Sequence, residues 1–149
     1  MMTEFKKITE NKKDFIDLLL LADEDEHMVD KYLTRGEMYV LYDPDPVAEC
    51  VVTDEGDGVF EVKNLAVTQT VQKKGYGRRM LAFVEETYRG RAKCLIVGTG
   101  DSPLTLPFYQ KCGFQISHRI KNFFTDNYDH PIVEDGVTLV DMVILKKEL

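Results

Sequence analysis

The chain has 149 residues, 44% of them hydrophobic and 30% charged, with a formal net charge of -7. That length predicts one domain spanning 1–149 with a proper core, and the charge argues against general nucleic-acid binding, which relies on cations paired with phosphates. No apolar run reaches the roughly 20 residues a membrane span needs, and the opening "MMTEFKKITENKKDF" lacks the apolar segment of a secretory signal.

Cys50, Cys94 and Cys112 are odd in number and widely spaced, so neither a disulfide framework nor a zinc site is expected. Each is predicted to act as a small buried hydrophobe in a reducing cytoplasm. The three histidines lack metal-ligand spacing, and no metal is expected.

In chain order, "EFKKI" (Glu4 to Ile8) alternates like a short strand. "ENKKDFIDLLLLA" sets Phe15, Leu18, Leu19 and Ala22 on one helical face. Met28, Val29, Tyr32 and Leu33 predict a second helix, with Gly36 as its stop. "EMYVLYD" reads as a strand and "DPDP" (Asp43 to Pro46) as a turn, because proline fixes φ. "VAECVVTD" and "VFEVKNLAVT" are β-rich runs joined by a hairpin loop at "EGDG". A helix is predicted over Tyr76 to Tyr88, with Met80, Phe83, Val84 and Thr87 along a stripe. "CLIVGT" has the continuous apolarity of a strand buried on both faces. "LTLPFYQKC" predicts a helix ending at Gly113 with Pro107 in its first turn, and two β-rich stretches follow.

The stretch "VQKKGYGRRML" gathers Lys73, Lys74, Arg78 and Arg79 around Gly75 and Gly77, at the expected start of a helix. A helix N-terminus leaves backbone N–H groups unpaired and carries roughly half a positive charge. Glycines there let an anion approach the backbone, so this turn points to a phosphate or pyrophosphate. A dinucleotide fingerprint would need a third glycine where the chain has Met80, and a P-loop would need Gly-Lys-Ser/Thr. A solvated basic helix start is the ordinary alternative.

"NLAVTQTVQKKGYGRRMLAFVEE", then "CLIVGTG", then "PFYQKCGF" together resemble the GCN5-related N-acetyltransferase (GNAT) superfamily. Its Arg/Gln-x-x-Gly-x-Gly/Ala motif falls on Gln72, Gly75 and Gly77, and its aromatic-Tyr-x-x-x-Gly-Phe segment on Phe108, Tyr109, Gly113 and Phe114. The resemblance covers roughly Val59 to Phe114, and the closing stretch is similar to a bacterial subgroup of small members. It implies an α/β (α+β) fold: a mixed, mostly antiparallel twisted sheet of about seven strands, splayed between the fourth and fifth, with about four helices.

The resemblance also implies an enzyme that moves an acetyl group from acetyl-CoA, its co-substrate, to a primary amine by direct attack. The pantetheine arm would lie along the backbone of Leu65, Ala66 and Val67, with the Val67 N–H donating to the thioester carbonyl. The pyrophosphate would sit on the N–H groups of Gln72, Lys73, Lys74, Gly75, Tyr76, Gly77 and Arg78, and Thr99 and Asp101 would meet the arm from the facing strand. Tyr109 would protonate the departing thiolate, a role typically worth about 10²–10⁴ in rate; its alternative is a tyrosine packed under the sheet. Glu61 would take the amine proton, directly or through a water. Its alternative is a solvated pair with Lys63, and a one-residue bulge in that strand would reverse which face each presents.

One departure concerns Asp101, where that subgroup usually has an asparagine touching the cofactor arm. An ionised carboxylate cannot donate through its side chain, which puts that contact in doubt. The acidic residues Asp23 to Glu26, Asp126, Asp129, Glu134 and Asp135 would favour a small cationic acceptor if they faced the cleft. Two other classes fit parts of the sequence. "GDSPL" matches a serine-esterase block with Ser102 as nucleophile and His118 or His130 as base, but no Asp-x-x-His follows downstream. A non-catalytic acyl-CoA-binding sensor would keep the glycine turn but not need Tyr109. Homodimers are common among GNAT-like proteins, and the sequence leaves that open.

Overall fold

The computed structural model describes residues 3–149. β1 (Glu4–Ile8) leads through a 3-10 turn (Lys12–Phe15) into α1 (Ile16–Ala22) and α2 (Glu26–Leu33). β2 (Glu37–Tyr42), β3 (Pro46–Asp54) and β4 (Val59–Val67) follow, then α3 (Tyr76–Tyr88), β5 (Cys94–Gly100) and α4 (Leu106–Lys111). β6 (Gln115–Ile120), α5 (Phe123–Asn127), a small hairpin of β7 (Val133–Glu134) and β8 (Val137–Thr138), and β9 (Met142–Glu148) complete the order.

Local chemistry explains most boundaries. Asp25 caps α2 by accepting from the His27 N–H at 2.8 Å, which satisfies a donor the helix itself cannot. Pro107 sits in the first turn of α4, where its missing N–H has no helical partner to lose. Two expectations shift. The first long helix is split, because only Ile16–Ala22 is α-helical and a 3-10 turn precedes it. The closing β-rich region also contains α5, a fifth α-helix, whose Phe124 buries against Ile132 and Leu139.

Seven strands form one sheet in the order β1-β2-β3-β4-β5-β9-β6. Among the described strands only β4 and β5 run parallel, as expected when a helix crosses between them. One face carries the larger core, where Met80, Val84 and Tyr88 of α3 and Tyr109 of α4 pack on Cys50, Val62 and Leu95. The other face is covered by α1 and α2, whose Leu19, Val29 and Tyr32 meet Met38, Val40 and Val51.

β4 changes its allegiance partway along. Its pairing with β3 shifts register so that Val52 opposes Val62 and Val51 opposes Asn64, leaving Lys63 as the extra residue of a bulge. Before the bulge, Phe60 and Val62 belong to the core under α3. After it, Leu65 and Val67 point to that side, while Asn64 donates to the Leu19 carbonyl at 3.0 Å and the Tyr32 hydroxyl at 2.9 Å.

One buried group lacks compensation. Glu49 of β3 is 0% exposed, and neither carboxylate oxygen has a hydrogen-bond partner. Burial pushes its carboxyl well above the usual value; the Ala66 N–H opposes this without meeting hydrogen-bond geometry. Because the folded protein holds that proton more tightly than the unfolded chain, Glu49 makes stability fall as pH rises above the ordinary carboxylate value. Glu49→Gln is therefore expected to be the more stable protein at about pH 8, with the advantage shrinking toward about pH 5. Urea unfolding of both proteins across that range measures it, and equal midpoints at the higher pH would refute it.

Candidate active site

The parallel ladder between β4 and β5 runs only from Val59 opposite Cys94 to Val62 opposite Val97. Beyond Val97, Gly98, Thr99 and Gly100 pair with β9 alone. On the other side of the gap the Thr68 N–H donates to the Val47 carbonyl at 2.8 Å. Alternation along an antiparallel ladder then turns the N–H and C=O groups of Val67 and Leu65 away from β3, toward the gap, and those of Ala66 toward β3. Of the three residues expected to offer backbone groups there, Leu65 and Val67 are so directed.

The glycine turn closes one end of this gap. Gln72 donates from its side chain to the Val67 carbonyl at 3.2 Å, tying the turn to the end of β4. Lys73 and Gly75 both have positive φ, 67° and 89°. Such a backbone gathers successive N–H groups into an anion-binding concavity. The Arg79 N–H bonds to the Gly75 carbonyl at 3.0 Å, which leaves the N–H groups of Tyr76, Gly77 and Arg78 without a helical acceptor. Lys73, Lys74 and Arg78 are exposed around them. The Tyr76 ring takes no part in the cradle, since its hydroxyl donates to Asp43 at 2.5 Å.

The two glycines serve different needs. A Cβ at Gly75 would meet nothing within 4 Å, so space lies open where an anion would approach. A Cβ at Gly77 would stand 3.1 Å from the Phe108 ring, so that glycine lets α3 pack against α4. That packing need stands beside the expectation that both glycines clear the way for a phosphate.

Tyr109 is 7% exposed, with its ring edge-on to Phe108 and Phe114. Burial pushes its hydroxyl above the usual tyrosine range, so it keeps its proton at neutral pH. On the α1/α2 side of the sheet lies a cavity of about 430 Å³, lined by residues that include Asp23, Tyr32, Glu61, Lys63 and Tyr128. Glu61 thus lies on the face opposite Phe60, paired with Lys63 at 3.2 Å. Burial raises the Glu61 carboxyl, against the pull of the Lys63 charge.

The structure sorts the other expected residues. Thr99 shares a hydroxyl–hydroxyl bond with Thr105 at 2.5 Å, and Asp101 is exposed and bridged to Arg119 at 2.7 Å. Of the acidic stretches only Asp23 reaches the cavity wall, where it accepts from the hydroxyls of Tyr32 at 3.3 Å and Tyr128 at 2.9 Å. Glu24 and Asp129 flank His130 instead. Ser102 is buried and donates to Glu134 at 2.8 Å, with no histidine bonded to it, so the esterase arrangement is not formed. Among the described residues no three His, Cys, Asp or Glu side chains gather as a metal site would need, and no helix is long and apolar enough to cross a membrane.

Sequence reasoning missed the inner polar group of Asn64, Tyr32 and Glu49. A carboxylate inside the apolar run "VAECVVT" was the one visible signal of it.

Residues 34–116 match the family described as an acetyltransferase (GNAT) domain. The chain is 38% identical over 143 residues to the uncharacterized N-acetyltransferase YvbK of Bacillus subtilis, a match spanning 94% of this chain and 92% of that protein. A GNAT family acetyltransferase from Elizabethkingia anophelis, solved with acetyl-CoA bound, superposes with a TM-score of 0.93 at 37% identity, covering 99% of this chain and 98% of that one. A Bacillus subtilis acetyltransferase in complex with CoA gives 0.91 at 34% identity, with 99% of each chain covered. The chain belongs to the GNAT family and is an acyl-CoA-dependent N-acetyltransferase.

The glycine geometry separates two variants. Gly75→Val places a β-branched residue at positive φ in the open cradle, and is expected to weaken acetyl-CoA binding at least tenfold in calorimetry. Gly77→Val meets the Phe108 ring and is expected to lower the melting temperature more than Gly75→Val does. The reverse order of melting temperatures would contradict the packing role of Gly77.

Proposed function

We propose that residues 1–149 act as one catalytic domain that acetylates a small primary amine, cationic before it reacts, in the reducing cytoplasm. The observation that carries this reading is the gap between β4 and β5, with the Leu65 and Val67 backbone turned into it and the glycine turn at its end. Leu65 and Val67 hold the pantetheine arm as a neighbouring strand would, and the N–H groups from Lys73 to Arg78 hold the pyrophosphate, with Gln72 fixing the turn. The Thr99 and Asp101 side chains are already engaged, so β5 contributes mainly backbone to the facing wall.

Acetyl-CoA supplies a thioester carbon already activated toward nucleophiles. The Val67 N–H is aimed to meet the carbonyl oxygen, where negative charge grows as nitrogen attacks. The ammonium first releases one proton to water and becomes a nucleophile. Glu61 accepts the second, lost from nitrogen as the carbon–nitrogen bond forms. Its raised carboxyl makes it a better base than an exposed glutamate, with Lys63 keeping it ionised. As the carbon–sulfur bond breaks, Tyr109 donates a hydrogen bond and then its proton to the sulfur. The products are the acetamide and the CoA thiol, and solvent returns the proton from Glu61 to Tyr109.

Tyr109→Phe is expected to lower kcat by about 10²-fold or more while leaving the KM for acetyl-CoA nearly unchanged. A thiol-release assay with acetyl-CoA and a panel of amines measures this, and unchanged turnover would remove Tyr109 from the mechanism.

A further inference from the structure

We propose that the acceptor is a compact monoamine with an apolar body, received as its ammonium by Asp23, and that polyamines and lysine-rich peptides are poor acceptors. This rests on the reading above that Glu61 takes the amine proton, which makes the cavity that Glu61 lines, beneath α1 and α2, the acceptor side.

The charges on the cavity wall decide the number of cations it takes. Glu61 is paired with Lys63 at 3.2 Å, and Arg35 is paired with Glu55 at 3.0 Å. Among the described residues, Asp23 is then the one lining carboxylate with no cation beside it. Its partners are uncharged donors: the Tyr128 hydroxyl at 2.9 Å, the Tyr32 hydroxyl at 3.3 Å and the Asp25 N–H at 3.4 Å. These hold the carboxylate in place without cancelling its charge. One carboxylate without an ion-pair partner suits one ammonium. A second positive centre would meet Lys31, Arg35 and Lys63, which line the same space.

Burial raises the Asp23 carboxyl, opposed by the hydrogen bond from Tyr128. An incoming ammonium would offset that desolvation, which gives Asp23 a reason to prefer a charged amine over water.

Apart from His118 and Asn127, the rest of the cavity wall is largely apolar. Met28, Ile96, Ile120, Phe123, Met142 and Ile144 line it. A polyamine or a lysine-rich chain would leave this wall against polar groups and water, while an alkyl or aryl amine would cover it. The methionines add a surface that adapts to bodies of different shape.

The test compares thiol release at saturating acetyl-CoA for isopentylamine and 2-phenylethylamine against spermidine and a lysine-containing peptide. We expect kcat/KM for at least one apolar monoamine to exceed that for spermidine and for the peptide by about tenfold or more. Asp23→Asn should raise the KM for that monoamine at least tenfold with the acetyl-CoA dissociation constant unchanged by calorimetry. Because Asp23 also ties Tyr32 to Tyr128, a second variant is included. Ile120→Glu adds a carboxylate to the apolar wall at a residue already 41% exposed, and should narrow the preference over spermidine.

Preference for spermidine or the peptide, or an unchanged KM in Asp23→Asn, would overturn the inference. So would equal selectivity in Ile120→Glu. Failure to bind acetyl-CoA would instead bring down the reading of the whole site.

Discussion

A β-strand has hydrogen-bonding groups on both edges, and in β4 one neighbour leaves before the strand ends. β5 pairs with it from Val59 to Val62 and then turns its own bonds to β9 alone. From that point Leu65 and Val67 present N–H and C=O groups to a gap, a costly arrangement unless something fills it. The bulge at Lys63 belongs to the same event, since it rotates β4 just where the ladder parts. One side of the parted sheet then faces α3 and α4, the other the cavity under α1 and α2. In the proposed function, a linear donor would enter from one side and an amine from the other, to meet at the Val67 N–H.

Electrostatics follows from that geometry. The protein carries a net charge of -7, yet the cradle at the N-terminus of α3 is locally cationic. Positive φ at Lys73 and Gly75 brings backbone donors together, and the mobile side chains of Lys73, Lys74 and Arg78 supplement them. On the opposite face, buried acids follow another rule. Glu49, Glu61 and Asp23 all have raised carboxyls because each is removed from water, but their surroundings differ. Glu61 has a lysine, Asp23 has hydroxyls and Glu49 has no hydrogen-bond partner. Only the first two line the cavity.

The glycine turn, the helix after it and the Phe-Tyr pair of α4 were legible because each depends on residue type at fixed spacing. The mixed, mostly antiparallel sheet of about seven strands followed from the resemblance rather than from periodicity. Other features were hidden for physical reasons. That Gly77 also lets α3 pack against Phe108 depends on a contact across more than thirty residues. The acidic stretches read alike in sequence, yet chain direction after α1 sends Asp23 inward to Tyr128 and Glu24 outward to His130. The bulge at Lys63 was anticipated in kind, but its position depends on pairing with β3, which no local pattern encodes. The inner polar group was missed because Glu49 and Asn64 sit in runs that otherwise read as ordinary strands, and α5 was missed because "FFTDN" is too short for periodicity to mark.

The central claim is that the parted strands and the glycine turn together hold the acyl donor by its backbone-facing groups. Amide hydrogen exchange, read residue by residue with and without acetyl-CoA, tests it most directly. The account predicts new protection at the Leu65 and Val67 amides and across Lys74 to Arg78, with little change at Ala66, whose N–H already faces β3. Protection confined to other surfaces, with these amides exchanging as freely as before, would contradict it.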